Sequence, residues 1–267
     1  MSATTVHATT AHELKFRTAP IGRVVAMETK VEFLRLLRAR AFSLATIGFP
    51  VMFYLLFGVV NSHGSDGVIS RYLLATYSIF GLVGCSLFGI SVTLANERSL
   101  GWLELKQASP MPAAAYLVAK LASAMAFALL IFSVLLCLAK TLGHVQVTGH
   151  QVTMLGLTVI GGVIPFASLG LLLGMIISPS AGTGIINLIY LPMSFLSGLW
   201  FPLHGMPAWI EKIAPMWPTW HLSQVALHAA GFPAEGSMPW HWVWLACFSI
   251  VCLTLASVFF RRNAARG

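Results

Sequence analysis

The sequence is poor in charge. Asp, Glu, Lys and Arg make up 9% of its 267 residues, where a soluble domain carries about 25%. Acid is the scarcer sign, with 8 Asp and Glu against 16 Lys and Arg. Apolar residues fill 57% of the chain and its mean hydropathy is +0.82. These values exclude a water-soluble globule and imply an integral membrane protein. Cysteine is also sparse. Cys85, Cys137, Cys247 and Cys252 all lie in apolar runs and none forms CxxC, so they read as small buried hydrophobes rather than a disulfide framework or zinc site. GxxxxGK[ST], HExxH and GxSxG do not occur, so no P-loop nucleotide site and no hydrolase motif is present. The 9 His are scattered, and His204, His221, His228 and His241 read as polar tips in an aromatic interfacial segment. Residues 1–20 are polar, contain Glu13 and lack an apolar core segment. They read as a disordered tail rather than a signal peptide.

What the chain does have is long apolar runs. Six stretches, at about 41–60, 72–95, 113–139, 152–177, 182–201 and 240–260, match the roughly 20 apolar residues a spanning helix needs. The expected fold is all-α and polytopic, with six transmembrane helices. Basic residues give its orientation. With six spans the two termini share a side, and thirteen Lys and Arg fall on that side against Arg71, Lys140 and Lys212 on the other. Both termini are therefore expected in the cytoplasm, and the basic residues read as topology signals and contacts to anionic lipid, not to nucleic acid. Seven of the 8 Trp surround the loop between the fifth and sixth runs, as an aromatic belt at the outer surface would.

Two further segments are neither spans nor plain loops. In residues 21–40, Val24, Met27, Val31 and Leu34 recur at helical spacing while Glu28, Glu32 and Arg35 mark another face. This is an amphipathic helix suited to the cytoplasmic interface. Residues 203–230 are too rich in Pro and polar groups to span and too apolar for a free loop. Short helices dipping back into the outer leaflet fit them. The spans themselves hold no Asp or Glu, which argues against a proton-driven pump. Their milder polar groups concentrate on the fifth run. There Asn187 and Tyr190, with Phe195 and Trp200 beyond, are candidate pathway or gate residues on polarity and position; ordinary inter-helix hydrogen bonding would explain them equally well. The pairs Gly170/Gly174 and Cys85/Gly89 have the spacing of close helix packing.

The remaining anomaly is NERSLGWLELKQASPMP, residues 96–112, which places Glu97, Arg98, Glu104 and Lys106 within ten positions, alternated with Trp102 and two Leu. Apolar anchors with flanking charge suit a docking helix better than a solvated loop. A membrane-surface helix without a partner is the competing reading. The pattern E-R-x-x-G-x-L-E, then S-P-x-P and a Lys opening the next helix, resembles the first cytoplasmic loop of ABC type-2 exporter permeases. Here it comprises Glu97, Arg98, Gly101, Leu103, Glu104, Ser109, Pro110, Pro112 and Lys120, with Trp102 where the family usually has Thr. The block FLSGLWFPLHGMPAWIEKIAPMWPTWHLSQV, residues 195–225, is similar to the family's segment after its fifth span.

The resemblance implies a permease subunit of an ATP-driven exporter in the cell (inner or cytoplasmic) membrane. Its expected partners are a second permease copy, as a homodimer, two ATPase subunits and membrane lipid. ATP and magnesium would be bound by the ATPase, with no cofactor, metal or catalytic residue in this chain. Glu97, Arg98, Gly101, Trp102, Glu104 and Lys106 would form the coupling helix on which the ATPase docks. The expected organisation is a cytoplasmic tail over 1–20, one transmembrane domain over 21–260 and a basic tail over 261–267. The lack of a charged path points to an amphipathic or lipid-like cargo. A self-sufficient channel or secondary transporter is the alternative, and a membrane-embedded transferase would need clustered catalytic groups that the sequence lacks.

Overall fold

A computed structural model describes residues 20–60, 67–102 and 113–264. Among them there is helix and no strand. α1 (Ile21–Arg38) breaks at Ala39 and is followed by α2 (Arg40–Phe53). The Ser43 hydroxyl ties this corner by donating to Leu36 O and Leu37 O. Pro50 lies inside α2 and cannot donate a backbone hydrogen bond. The helix then widens into a π-helical stretch over Tyr54–Val59. α3 (Val68–Leu87) runs through a second π-helical stretch, Phe88–Val92, into α4 (Thr93–Ser99). α5 (Ala113–Thr141), α6 (Gly149–Ile176) and α7 (Pro179–Leu196) follow. Short turns and two short helices, α8 (Ala208–Ile213) and α9 (Pro218–Ala229), lead to α10 (Met238–Ala264).

α3 is the axis of the bundle. Every residue from Leu73 to Leu87 is buried, as expected of a helix apolar on all sides. It packs on α2, α5, α6, α7 and α9, while α10 packs on α6. Gly170 and Gly174 let α6 approach the α3–α4 rod closely. A Cβ at Gly170 would stand 3.0 Å from Ser86 O, and one at Gly174 3.1 Å from Ser91 O. The Ser91 hydroxyl crosses the same seam to donate to Gly170 O at 2.9 Å. This is the close packing of small residues that membrane helices use.

Among the described residues, five helical stretches are long and apolar enough to cross a membrane: 40–59, 68–99, 114–141, 149–176 and 238–262. The chain is thus an all-α polytopic membrane protein. The sixth expected span forms α7, which has only 18 residues. Its length of about 27 Å falls just short of the ~30 Å hydrocarbon core. Asn187, Pro192, Gly182 and Gly184 also dilute its apolar character. It stops at Leu196, not 201, because Gly198 turns the chain with φ +76.

Four sequence expectations change. The helix containing α3 runs on to Ser99, so Glu97 and Arg98 extend a spanning rod rather than open a loop. α1 packs on a different face from the expected one: Glu32, which meets Lys120 of α5, and Leu36 are buried, while Met27 and Val31 are each 60% exposed. Such a helix suits a boundary where its outward face meets lipid. His221 and His241 are not interfacial tips but are 3% and 1% exposed, because α9 folds back into the bundle with Pro218 to Leu227 all buried. Of the tryptophans around this segment, Trp209, Trp240 and Trp242 face outward, whereas Trp220 packs inside. Cys85 and Cys252 are buried as expected, but Cys137 and Cys247 are exposed.

Candidate functional site

At the end of the bundle where α1 lies, α1, α4 and α5 meet around four charged side chains. Lys120, on α5, is 3% exposed, in a helix otherwise apolar at that level. A buried ammonium needs anionic partners. Its Nζ stands 2.8 Å from Glu32 Oε1 on α1 and 3.4 Å from Glu97 Oε1 on α4, and donates to Thr93 Oγ1 at 3.1 Å. Arg35 closes the ring from the more exposed side. It reaches Glu32 Oε1 at 2.7 Å and Glu97 Oε1 at 2.8 Å. The Tyr116 hydroxyl donates to Glu97 Oε2. Burial works against the Arg35 charge, but Glu32 and Glu97 outweigh it and hold the guanidinium protonated above its usual range. Two acids and two bases thus balance, and three elements distant in sequence share one neutral, hydrogen-bonded cluster.

Arg98 points elsewhere. Its guanidinium donates to Met175 O and, at 2.7 Å, to Ile177 O. These are orphan carbonyls at the C-terminus of α6, where a cation is favoured. α4 is therefore fixed on one side to α1 and α5 through Glu97, and on the other to α6 through Arg98. Past Ser99 the helix ends at Gly101, whose φ of +70 suits glycine. Leu100 and Trp102 on either side are 69% and 54% exposed. Beside them opens a cavity of about 510 Å³, walled by Leu36, Phe42, Phe88, Val92, Leu100 and Trp102, with Arg35, Glu97 and Asn96 among its polar groups.

The candidate coupling residues therefore part company. Glu97 is 4% exposed and faces inward, so its carboxylate is not on the surface, contrary to its expected place as an outward contact. Arg98 is engaged with its own chain. Trp102 does face outward. Glu104 and Lys106 lie outside the described residues. The sequence reading missed Glu32, Arg35, Thr93 and Tyr116 as partners of Glu97. The available signal was Lys120 itself, a lone cation inside an apolar run that required an acid from another element.

The candidate pathway residues separate as well. The Tyr190 hydroxyl donates to Phe80 O at 2.9 Å, and its ring stacks on Phe80 at 4.9 Å. Trp200 packs on Phe53, Phe80 and Phe195, and its backbone carbonyl accepts from Tyr77 OH at 3.2 Å. Its buried Nε1 has no hydrogen-bond partner among the described residues. Tyr190, Phe195 and Trp200 thus join one aromatic cluster between α2, α3 and α7. Asn187 is half-buried on α7 outside it.

The profile of the ABC-2 type transporter family matches residues 24–230, from within α1 to the end of α9. The chain belongs to the ABC-2 type transporter family. YvfS of Bacillus subtilis (strain 168), named as a candidate transport permease, is 25% identical over 242 residues, covering 90% of this chain and 98% of that protein. The chain is accordingly a multi-pass transport permease subunit. In this permease the matched region includes every residue of the charged cluster and of the aromatic cluster.

Proposed function

We propose that this permease subunit pairs with a second copy and with two ATPase subunits to export an amphipathic or lipid-like molecule outward across the cytoplasmic membrane. Both termini face the cytoplasm in this reading, which places the charged cluster there and the tryptophan-rich end outside. The observation that carries it is the corner at Gly101 with Leu100 and Trp102 exposed on either side, held by Glu97 and Arg98 to three other helices. An ATPase docked on Trp102 and on Glu104 and Lys106 beyond it would push on a lever whose base is rigid. Glu97 and Arg98 then transmit the movement to α1, α5 and α6 instead of touching the ATPase. The adjoining cavity, apolar with Arg35 at one side, supports an amphipathic cargo. Movement of α7 against α3 would open the aromatic cluster, and the unpaired Trp200 Nε1 would offer a donor to cargo passing there.

The test is reconstitution with the cognate ATPase. Trp102→Ala should leave the fold intact, since its side chain is largely exposed, and should abolish permease-stimulated ATP hydrolysis and transport. Lys106→Glu should do the same. Unchanged stimulation in both variants refutes the docking assignment. Transport that persists with ATP depleted and a proton gradient intact assigns the chain instead as a secondary transporter.

A further inference from the structure

His221, on α9, and His241, in the first turns of α10, face each other with Nδ1 atoms 2.9 Å apart. Their outer nitrogens are also engaged. His221 Nε2 lies 3.0 Å from Pro215 O, and His241 Nε2 lies 2.7 Å from Glu235 O. Both outer partners are carbonyl oxygens, which only accept. Each Nε2 must therefore carry a hydrogen, and in a neutral imidazole that leaves Nδ1 a bare lone pair. Two lone pairs at 2.9 Å repel. The three contacts need three protons, and two neutral rings supply two. We propose that His221 and His241 together form one proton-binding site, in which a third proton between the Nδ1 atoms completes the chain from Pro215 O through both rings to Glu235 O.

The site joins the two connections that flank α9. Pro215 lies in the turn joining α8 to α9, and Glu235 in the connection from α9 to α10. The Glu235 amide donates to Gln224 Oε1 at 3.0 Å. The next residue, Gly236, has φ +80, and a Cβ there would stand 3.3 Å from His241 Nε2. Without the third proton, one ring must turn its hydrogen inward and one of the two carbonyl contacts is lost. The proton thus decides whether both connections flanking α9 are clamped at once.

The surroundings set when it binds. Burial pushes His221 down to about 4, and the neighbouring His241 adds to this, while the Pro215 carbonyl opposes it. Trp244 stacks on the His221 ring at 4.3 Å, and Trp220 meets both rings edge-on. Glu211 and Lys212 of α8, His204 and Glu235 line an adjoining cleft with Trp220. α9 itself also carries His228, which is exposed. Of the helices packed on α9, α3 brings Arg71 and Tyr72, which meet Phe232, and Tyr77, which bonds Trp200 O. α6 carries His150 in its first turn. That the proton comes from the outer compartment rests on the orientation proposed above; proton binding itself does not.

The test uses the full chain in nanodiscs, titrated from pH 8 downward. Protonation beside Trp244 should quench its fluorescence, isolated as wild type minus Trp244→Phe. Hydrogen exchange of residues 214–217 and 233–237, corrected for intrinsic rates, should slow about tenfold or more through the same transition, as a charge-assisted hydrogen bond would require. His221→Gln and His241→Gln should each abolish both changes, since Gln can still donate to the carbonyl but does not titrate. A transition that persists in either variant, or exchange in the wild type that does not slow with acid, overturns the proposal. So does a signal that follows added zinc and chelator instead of pH. In proteoliposomes with a pH step across the bilayer, the transition should follow the outer pH. If it follows the inner pH, the orientation falls and the proton site stands.

Discussion

Lys120→Met is the most informative single change. The Lys120 side chain is 3% exposed, and its two acidic partners, Glu32 and Glu97, are 8% and 6% exposed. Its removal leaves two buried carboxylates sharing Arg35, and so one uncompensated negative charge. Breaking a buried ion pair from one side costs about 3–5 kcal/mol, because the desolvated partner stays behind. The isosteric stem of Met keeps the packing against α1 and α4, so this figure reports charge rather than a cavity. Arg35→Ala also removes one cation, but its side chain is 40% exposed and water can replace it. Its cost should be nearer 1 kcal/mol. The deciding variant is Lys120→Met with Glu97→Gln. The pair leaves together, Glu32 and Arg35 remain balanced, and Tyr116 still finds an acceptor oxygen. The double variant should recover about 0.5–3 kcal/mol relative to the sum of the singles. The assay is reversible unfolding of the purified chain in mixed micelles by added sodium dodecyl sulfate. If Lys120→Met stays within about 0.5 kcal/mol of wild type, or the double variant shows no coupling, the cluster is not a balanced charge system and the reasoning fails.

Two further outcomes test the rigid base of the projecting corner. Arg98→Met removes both carbonyl contacts to the end of α6, which should cost about 1–2 kcal/mol in the same unfolding assay. It should also raise hydrogen exchange at residues 96–101 and 175–178 ahead of the rest of the bundle. Gly174→Leu places a side chain where even a Cβ would lie 3.0 Å from the Leu94 Cβ and 3.1 Å from Ser91 O. Overpacking of that seam should cost about 1–3 kcal/mol, while Gly174→Ala should cost less. Equal stability for Leu and wild type would mean the two helices are not held at this distance.

The bundle was legible because membrane helices announce themselves by length and apolarity. All-α architecture, the boundary helix α1, the short helices before α10 and the close Gly170/Gly174 seam follow from patterns along the chain. The charged cluster did not, because its members come from three elements and its logic is pairwise. Glu97 read as a surface charge since sequence shows a Glu near a helix end but not the Lys 23 residues later that neutralises it. Trp102 kept its surface place because nothing in the bundle competes for it. His221 and His241 were misread for a related reason. Interfacial composition described the segment well, but the turns at Pro215 and Gly236 fold it inward, and only three-dimensional closure aligns two rings between two carbonyls. Tyr190 and Trp200 were picked for polarity and position, and packing adds that both belong to one aromatic cluster.

The burial of Glu32 on α1 bears on the order in which the chain can be built. Glu32 finds Lys120 88 residues later, and Arg35 finds Glu97 62 residues later. Until the third long helix enters the bilayer, the acidic face of α1 has no cation of α5 to meet, while its apolar face can already rest on lipid. The boundary helix can therefore wait on the membrane surface, charged side toward water, and roll onto the bundle only after α5 arrives. Closing so long a loop adds little entropic cost beyond a shorter one. That step would join α1 to the base of the lever, and a truncation that ends before Lys120 should leave α1 resting on lipid and tied to α4 through Arg35 and Glu97 alone.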